Sequence, residues 1–207
     1  MFLGSLNQHG HFGLAGNSVP VQHIVIGAGD SGIYQTVRLI KQKAREALSQ
    51  PVVIQTVRSI IGGLQPTASQ TEVSKALVRW WMANIQYVQD DAMSWTEQGL
   101  QWINIHQCPM RFKTCEAVEM VSDVPQILAD RKGDCDDFVT GLGAFHSLAG
   151  IRWCPVVVAL DPSIPRDYSH IYLIANLDGS WIPIDAVNKR EPWGWGAEGY
   201  FRKETLC

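Results

Sequence analysis

The sequence predicts an α+β chain with a helical N-terminal half and a C-terminal antiparallel sheet. Three observations carry that prediction. Apolar residues recur at helical spacing through the first half, β-forming runs take over from Val156 onward, and Asp178-Gly179 stands between two of those runs as a hairpin turn.

The helical half begins after a glycine-rich lead-in. Residues 1–32 hold seven glycines among polar residues, a stretch that loses much backbone entropy on ordering and buries little in return, and it reads as an arm preceding a domain over 33–207. Ile33, Val37, Ile40, Ala44 and Leu48 then mark a helix stopped at Pro51, and a second helix over 52–61 ends at Gly62-Gly63, where glycine can take the left-handed conformation of a cap. Ser69 with Glu72 forms a capping-box pattern, and Val73, Ala76, Leu77, Trp80, Trp81 and Ile85 extend it as a helix whose tryptophans belong to the core. From Asp90 to Ser122 the periodicity fades into a long loop of the kind that walls a cleft, followed by a short turn over 125–129.

Asp134 is a natural N-cap and Cys135 the first residue of a helix whose face Phe138, Leu142, Phe145 and Leu148 define up to Gly150. Strands are predicted over 156–160, 171–175 and 181–186. If Asp178-Gly179 forms a two-residue loop, Leu177 pairs with Ser180, and the same register sets Asp185 opposite Tyr172 and His170 opposite Val187. His170 and Asp185 then share a sheet face as diagonal neighbours, with backbones about 7 to 8 Å apart. Pro183 predicts some irregularity in that pairing.

Composition limits the possible functions. With 207 residues, 46% of them hydrophobic, the chain supports one sizeable core, and a net charge of -3 offers no basic field for nucleic acid or anionic lipid. The opening MFLGSLNQHGHFGLAGNS lacks the basic start and apolar run of a signal peptide, and no stretch is long and apolar enough to span a membrane. A soluble, cytoplasmic chain is expected. Five cysteines, an odd number at uneven spacing, favour reduced thiols over a complete disulfide framework.

A thiol in the first turn of a helix faces unpaired amides and the positive end of the helix dipole, which favour thiolate. Asp136 and Asp137 repel that charge, so a nearby imidazolium is needed, and His170 is the candidate. Taken singly, Cys135 reads as a buried thiol, His170 as a strand histidine and Asp185 as an acid near a turn. Together, Gly133-Asp134-Cys135-Asp136-Asp137, Tyr168-Ser169-His170-Ile171-Tyr172 and Trp181-Ile182-Pro183-Ile184-Asp185 resemble, in order, the three motifs of the transglutaminase-like superfamily. The resemblance covers residues 75–187 and implies a papain-like core with Cys135, His170 and Asp185 as catalytic triad. It further implies thiol attack on a peptide or side-chain amide, and an acyl-enzyme released to water or to an amine.

The helix-start amide of Cys135 is the natural first oxyanion donor. Larger transglutaminases use an upstream tryptophan as the second, and the resemblance implies Trp95, Gln101 or Trp102 for that place, with no motif fixing which. The arm and Gly29-Asp30-Ser31-Gly32 also resemble small phage and prophage members of the superfamily. That implies an alternative role as a virion assembly component, with the arm ordering on other virion proteins and little turnover.

Two other patterns compete. Gly27-Ala28-Gly29-Asp30-Ser31-Gly32 has the letters of a dinucleotide fingerprint, but the segment from Pro51 to Val57 that should form the second strand carries no terminal acid and continues into helix. No cofactor is therefore expected. His106, Cys108 and Cys115 lack the spacing of a zinc site, and Asp90-Asp91 and Asp136-Asp137 read as solvated or capping acids.

Overall fold

The structure is a computed structural model that describes residues 29–88, 121–188 and 193–207, together with the backbone of four short strands, β1 (Gly10–Phe12), β2 (Val19–Val21), β4 (Met93–Thr96) and β5 (Gly99–Trp102). It is an α+β fold in which one buried helix is surrounded by four others and packed on a four-stranded antiparallel sheet.

Helix α1 (Asp30–Glu46) runs into a 3-10 turn at Ala47–Ser49 and buries Val37, Ile40, Ala44 and Ala47, one stripe at helical spacing. Helix α2 (Pro51–Gly62) starts on the proline that stops α1, because a first-turn residue has no intrahelical use for its N–H. Its end differs from expectation: Gly63 is right-handed at φ -82 and its amide reaches back to Ile60 and Ile61 carbonyls, so the cap needs no left-handed residue. Helix α3 (Gln70–Asn84) opens with the full Ser69/Glu72 capping box.

The turn expected over 125–129 is instead helix α4 (Val124–Asp130). Pro125 lies in its first turn, and Arg131 ends it in the left-handed conformation at φ 57, with its amide on the Ile127 carbonyl. Short parallel strands β3 (Gln86–Tyr87) and β6 (Lys132–Gly133) then pin the chain just ahead of Asp134 to the end of α3.

Helix α5 (Cys135–Leu148) is buried continuously from Asp136 to His146, so the single apolar face read from sequence understates it. Two glycines make that burial possible by letting indole rings lie on the helix. A Cβ on Gly141 would stand 1.7 Å from Trp81 Cη2, and one on Gly143 2.4 Å from Trp153 Cζ2. Left-handed Gly150 closes the helix as expected.

The sheet has the order β10-β7-β8-β9, with β7 (Trp153–Ala159), β8 (His170–Leu177), β9 (Ser180–Ile184) and β10 (Arg202–Thr205). Asp178 (φ 51) and Gly179 (φ 91) form the hairpin turn with both residues at positive φ. The pairing runs from Leu177↔Ser180 to Leu173↔Ile184 without a slip, so the irregularity expected at Pro183 is absent. On a strand at the sheet's edge the missing proline N–H removes no ladder bond.

Strand β10 was not foreseen, and it overturns the reduced-thiol expectation for two cysteines. Its antiparallel pairing with β7 brings Cys207 beside Cys154, with Cα atoms 4.6 Å apart, and the two form a disulfide. Cys108 and Cys115 lie outside the described residues. Among those described, no helix is long and apolar enough to cross a membrane.

Candidate active site

The chain approaches Cys135 under tight constraint. Val88 N–H donates to the Gly133 carbonyl, and a Cβ on Gly133 would stand 2.6 Å from the Asp137 Cβ, so only glycine fits there. Asp134 caps α5 as expected, its Oδ1 accepting from the amides of Asp136 (3.1 Å) and Asp137 (3.4 Å). Cys135 is thus the first helical residue, a half-buried thiol outside any disulfide. The helix start favours its thiolate form.

The acids beside it are not solvated, contrary to the sequence reading: Asp136 and Asp137 are 1% and 4% exposed. Asp137 accepts from the Ser122 amide (2.8 Å) and hydroxyl (3.3 Å). Burial, reinforced by the neighbouring Asp134 carboxylate, nevertheless pushes its carboxyl up to about 7. Near neutrality Asp137 therefore holds a proton much of the time and repels a Cys135 thiolate less than a full carboxylate would.

His170 opens β8 and Asp185 follows the last residue of β9. His170 Nε2 lies 2.8 Å from Asp185 Oδ2, with the two side chains 13% and 3% exposed. This is the diagonal contact that the hairpin register predicts. A carboxylate only accepts, so Nε2 carries the hydrogen and Nδ1 keeps the lone pair in the neutral ring. The other Asp185 oxygen accepts from the Val187 amide at 3.3 Å.

Cys135 and Asp185 line one small cavity, together with Phe138, Ile171, Tyr172 and Val187. It lies where β8 and β9 part, one step beyond the Leu173↔Ile184 pair. Here the structure departs from the expectation that the helix start packs on the face of the histidine. Ile171, Leu173, Ala175 and Leu177 join the core formed with α5, whereas Tyr172 packs with Val156, Val158 and Ala197 on the reverse face. His170, paired with Val158 and stacked on Tyr172, alternates to that reverse face. Where β8 parts from β9 the helix start and Asp185 border a common space, and His170 is joined to it through its bond to Asp185.

Sequence reasoning missed the groups that support this pair. Trp193 bridges Ile184, and the Asp185 amide donates to the Trp195 carbonyl at 3.1 Å, so the segment after 192 runs along the back of the site. The glycines and tryptophans of Trp193-Gly194-Trp195-Gly196 were the available signal, but they follow no periodicity. A second missed feature is a buried polar chain. The Trp193 indole N–H donates to Ser74 Oγ (3.3 Å), Ser74 faces His146 Nε2 (2.9 Å), and His146 Nδ1 faces the Leu142 carbonyl (2.7 Å). Because a carbonyl only accepts, Nδ1 is the protonated nitrogen and Nε2 accepts from the serine. Complete burial pushes His146 down to about 4 and keeps it neutral.

Of the candidate second oxyanion donors, Trp95, Gln101 and Trp102 fall on the β4–β5 hairpin, and their side chains lie outside the described residues. So do His106 and residues 27–28 of the glycine fingerprint. The segment the fingerprint would need as its second strand is helix α2. Among the described residues Asp134, Asp136 and Asp137 bring carboxylate oxygens within 4.8 Å of one another. Asp134 is engaged as the helix cap and Asp137 with Ser122.

No family model matches the chain, and no curated protein matches it. Among solved structures it is similar to a candidate cysteine protease from Cytophaga hutchinsonii, at 13% identity and a TM-score of 0.42 over 78% of this chain and 42% of that one. It is also similar to a candidate protease from Parabacteroides distasonis, at 12% identity and a TM-score of 0.47 over 86% of this chain and 35% of that one. The chain thus spans less than half the length of either.

Proposed function

We propose that the chain is a thiol enzyme that attacks an amide carbonyl through Cys135, with His170 as base and acid and Asp185 holding the histidine. The observation that carries this reading is the part-buried 2.8 Å bond between His170 Nε2 and Asp185 Oδ2, beside a cavity that Asp185 and Cys135 both line. That bond commits Nε2 to the carboxylate, so Nδ1 is the nitrogen that takes the thiol proton.

The thiolate adds to the carbonyl carbon, and the helix-start amide of Cys135 stabilises the oxyanion. The C–N bond then breaks, the amine leaves with the proton from His170, and a thioester remains on Cys135. Water or a second amine attacks the thioester, His170 accepts its proton, and the thiol is restored. Hydrolysis and cross-linking differ only in that acceptor.

The test is selective alkylation with limiting iodoacetamide near pH 6, followed by mass mapping of the first cysteine labelled. An ordinary cysteine, with pKa near 8.5, is under about 1% thiolate at that pH. Cys135 should label first, and first labelling at Cys108 or Cys115 overturns the reading. Release of free amine from peptide substrates, compared with incorporation of a fluorescent primary amine, then identifies the acceptor.

A further inference from the structure

We infer that the segment Trp193–Ala197 is a positioning element for the His170–Asp185 pair, with Gly196 the residue that sets the histidine through the ring of Tyr172. The inference rests on the proposed function only in naming that pair as catalytic.

The segment holds both members. On the aspartate side the Gly194 amide donates to the Pro183 carbonyl (2.9 Å) and the Asp185 amide to the Trp195 carbonyl (3.1 Å), so the backbone on either side of Ile184 is fixed from behind. On the histidine side Tyr172 stacks on His170, with ring centroids 6.3 Å apart and planes 30° from parallel. Tyr172 is 2% exposed and packs with Val156, Val158 and Ala197, with Lys203 Nζ 5.8 Å from its ring centroid, so the ring has little freedom to move.

Gly196 lies directly against that ring. A Cβ there would stand 2.8 Å from Tyr172 Cε2, 2.9 Å from Cζ and 3.0 Å from Oη. Unlike Gly194 at φ 79 and Gly199 at φ 71, Gly196 does not take a positive φ, so its backbone accepts any residue. Glycine is required at 196 for space alone, and the space is taken by the ring that stacks on His170. A side chain at 196 displaces Tyr172, and the displacement passes to the imidazole. The Trp193 indole, donating to buried Ser74 on α3, anchors the front of the segment to the helical layer.

The experiment compares the wild type with Gly196→Ala, Tyr172→Leu, the double variant, and Gly143→Ala as a control that presses on Trp153 instead. Two quantities are read: the NMR shifts of the His170 ring protons, which feel the Tyr172 ring current, and the rate of Cys135 alkylation at fixed pH. Gly196→Ala should move the His170 resonances and slow alkylation about 10-fold, in line with the sensitivity of reaction rates to small misplacements. Tyr172→Leu should do likewise, and the double variant should add little to Tyr172→Leu, because Gly196 acts through that ring. Gly143→Ala should lose stability and leave His170 where it is. If Gly196→Ala does not fold, the alkylation rate of Tyr172→Leu is the quantity read, since loss of the ring changes the ring-current shift by itself, and a wild-type rate there overturns the inference.

Unmoved His170 resonances in a folded Gly196→Ala protein, or fully additive effects, overturn the inference. Slow alkylation of Cys135 in the wild type overturns the proposed function instead, while the NMR comparison still reports on the pair.

Discussion

His170 Nε2 and Asp185 Oδ2 meet at 2.8 Å because a two-residue turn at Asp178-Gly179 sets a register that holds without a slip from Ser180 to Ile184. That turn lies well away from the pair along both strands. Through the period of two, it decides which acid can reach the imidazole.

The charge on Asp185 is the first thing to test. An amide in its place keeps the size but no longer stabilises an imidazolium, so less of Cys135 is thiolate at a given pH. Asp185→Asn should slow alkylation of Cys135 near pH 6 by about 10-fold, the equivalent of about one pKa unit, with the far-ultraviolet circular dichroism unchanged. Alkylation at the wild-type rate would remove Asp185 from the site.

Gly141 tests the packing of the buried helix. Trp81 is fully buried, and an added methyl would overlap its ring, so Gly141→Ala forces both to shift. Overpacking of this kind costs about 1 to 3 kcal/mol or more, to be read as a lower midpoint in urea unfolding. Wild-type stability would show that Trp81 finds a second position.

The disulfide between Cys154 and Cys207 closes a loop with a sequence separation of 53. Cross-linking that length of chain restricts the unfolded state, for a stabilisation of about 2 to 4 kcal/mol. Thermal unfolding with and without a phosphine reductant should show the loss, and Cys207→Ser should reproduce it without reductant. Equal melting temperatures would mean that β10 pairs with β7 equally well without the bond.

Two buried groups give stability opposite pH slopes. His146, held down to about 4, stays neutral in the folded chain while the unfolded chain protonates below about 6.5. Its contribution is therefore present above that pH and lost as pH falls toward 4. Asp137, held up to about 7, keeps a proton in the folded chain that the unfolded chain releases above about 4. Its contribution is full at low pH and lost as pH rises through 7.

Asp137→Asn removes the second slope. Relative to the wild type, the variant should gain stability as pH rises from 5 to 7.5, with a limiting slope of about 1.4 kcal/mol per pH unit. It should lose stability on acidification from 6.5 to 4 more steeply than the wild type does. Denaturant titrations across this range would show a constant difference if Asp137 titrates as an ordinary carboxylate.

Local chemistry was legible in the sequence. The Ser69/Glu72 box, the Asp134 cap that makes Cys135 the first helical residue, and the Asp178-Gly179 turn each depend on neighbours a few residues away, and each stands as read. The register that pairs His170 with Asp185 follows from the last of these. What the sequence could not supply depends on contacts between distant segments. A proline near the start of α4 does not show whether one turn or two will follow, because a seven-residue helix is too short to be stable alone and exists through packing on α5.

Cys154 and Cys207 become partners only because β10, a strand of four polar residues with no apolar and polar alternation in its sequence, joins β7. Asp136 and Asp137 look like surface acids until α5 is buried on every side. Gly196 has no local reason to be glycine at all, since its φ is ordinary and the ring that fills its space comes from Tyr172, a strand away. Local sequence fixes dihedral angles, caps and periodicity, because those energies depend on residues close along the chain. Burial, cross-strand partners and the space beside a glycine are decided only when remote segments compete for the same volume.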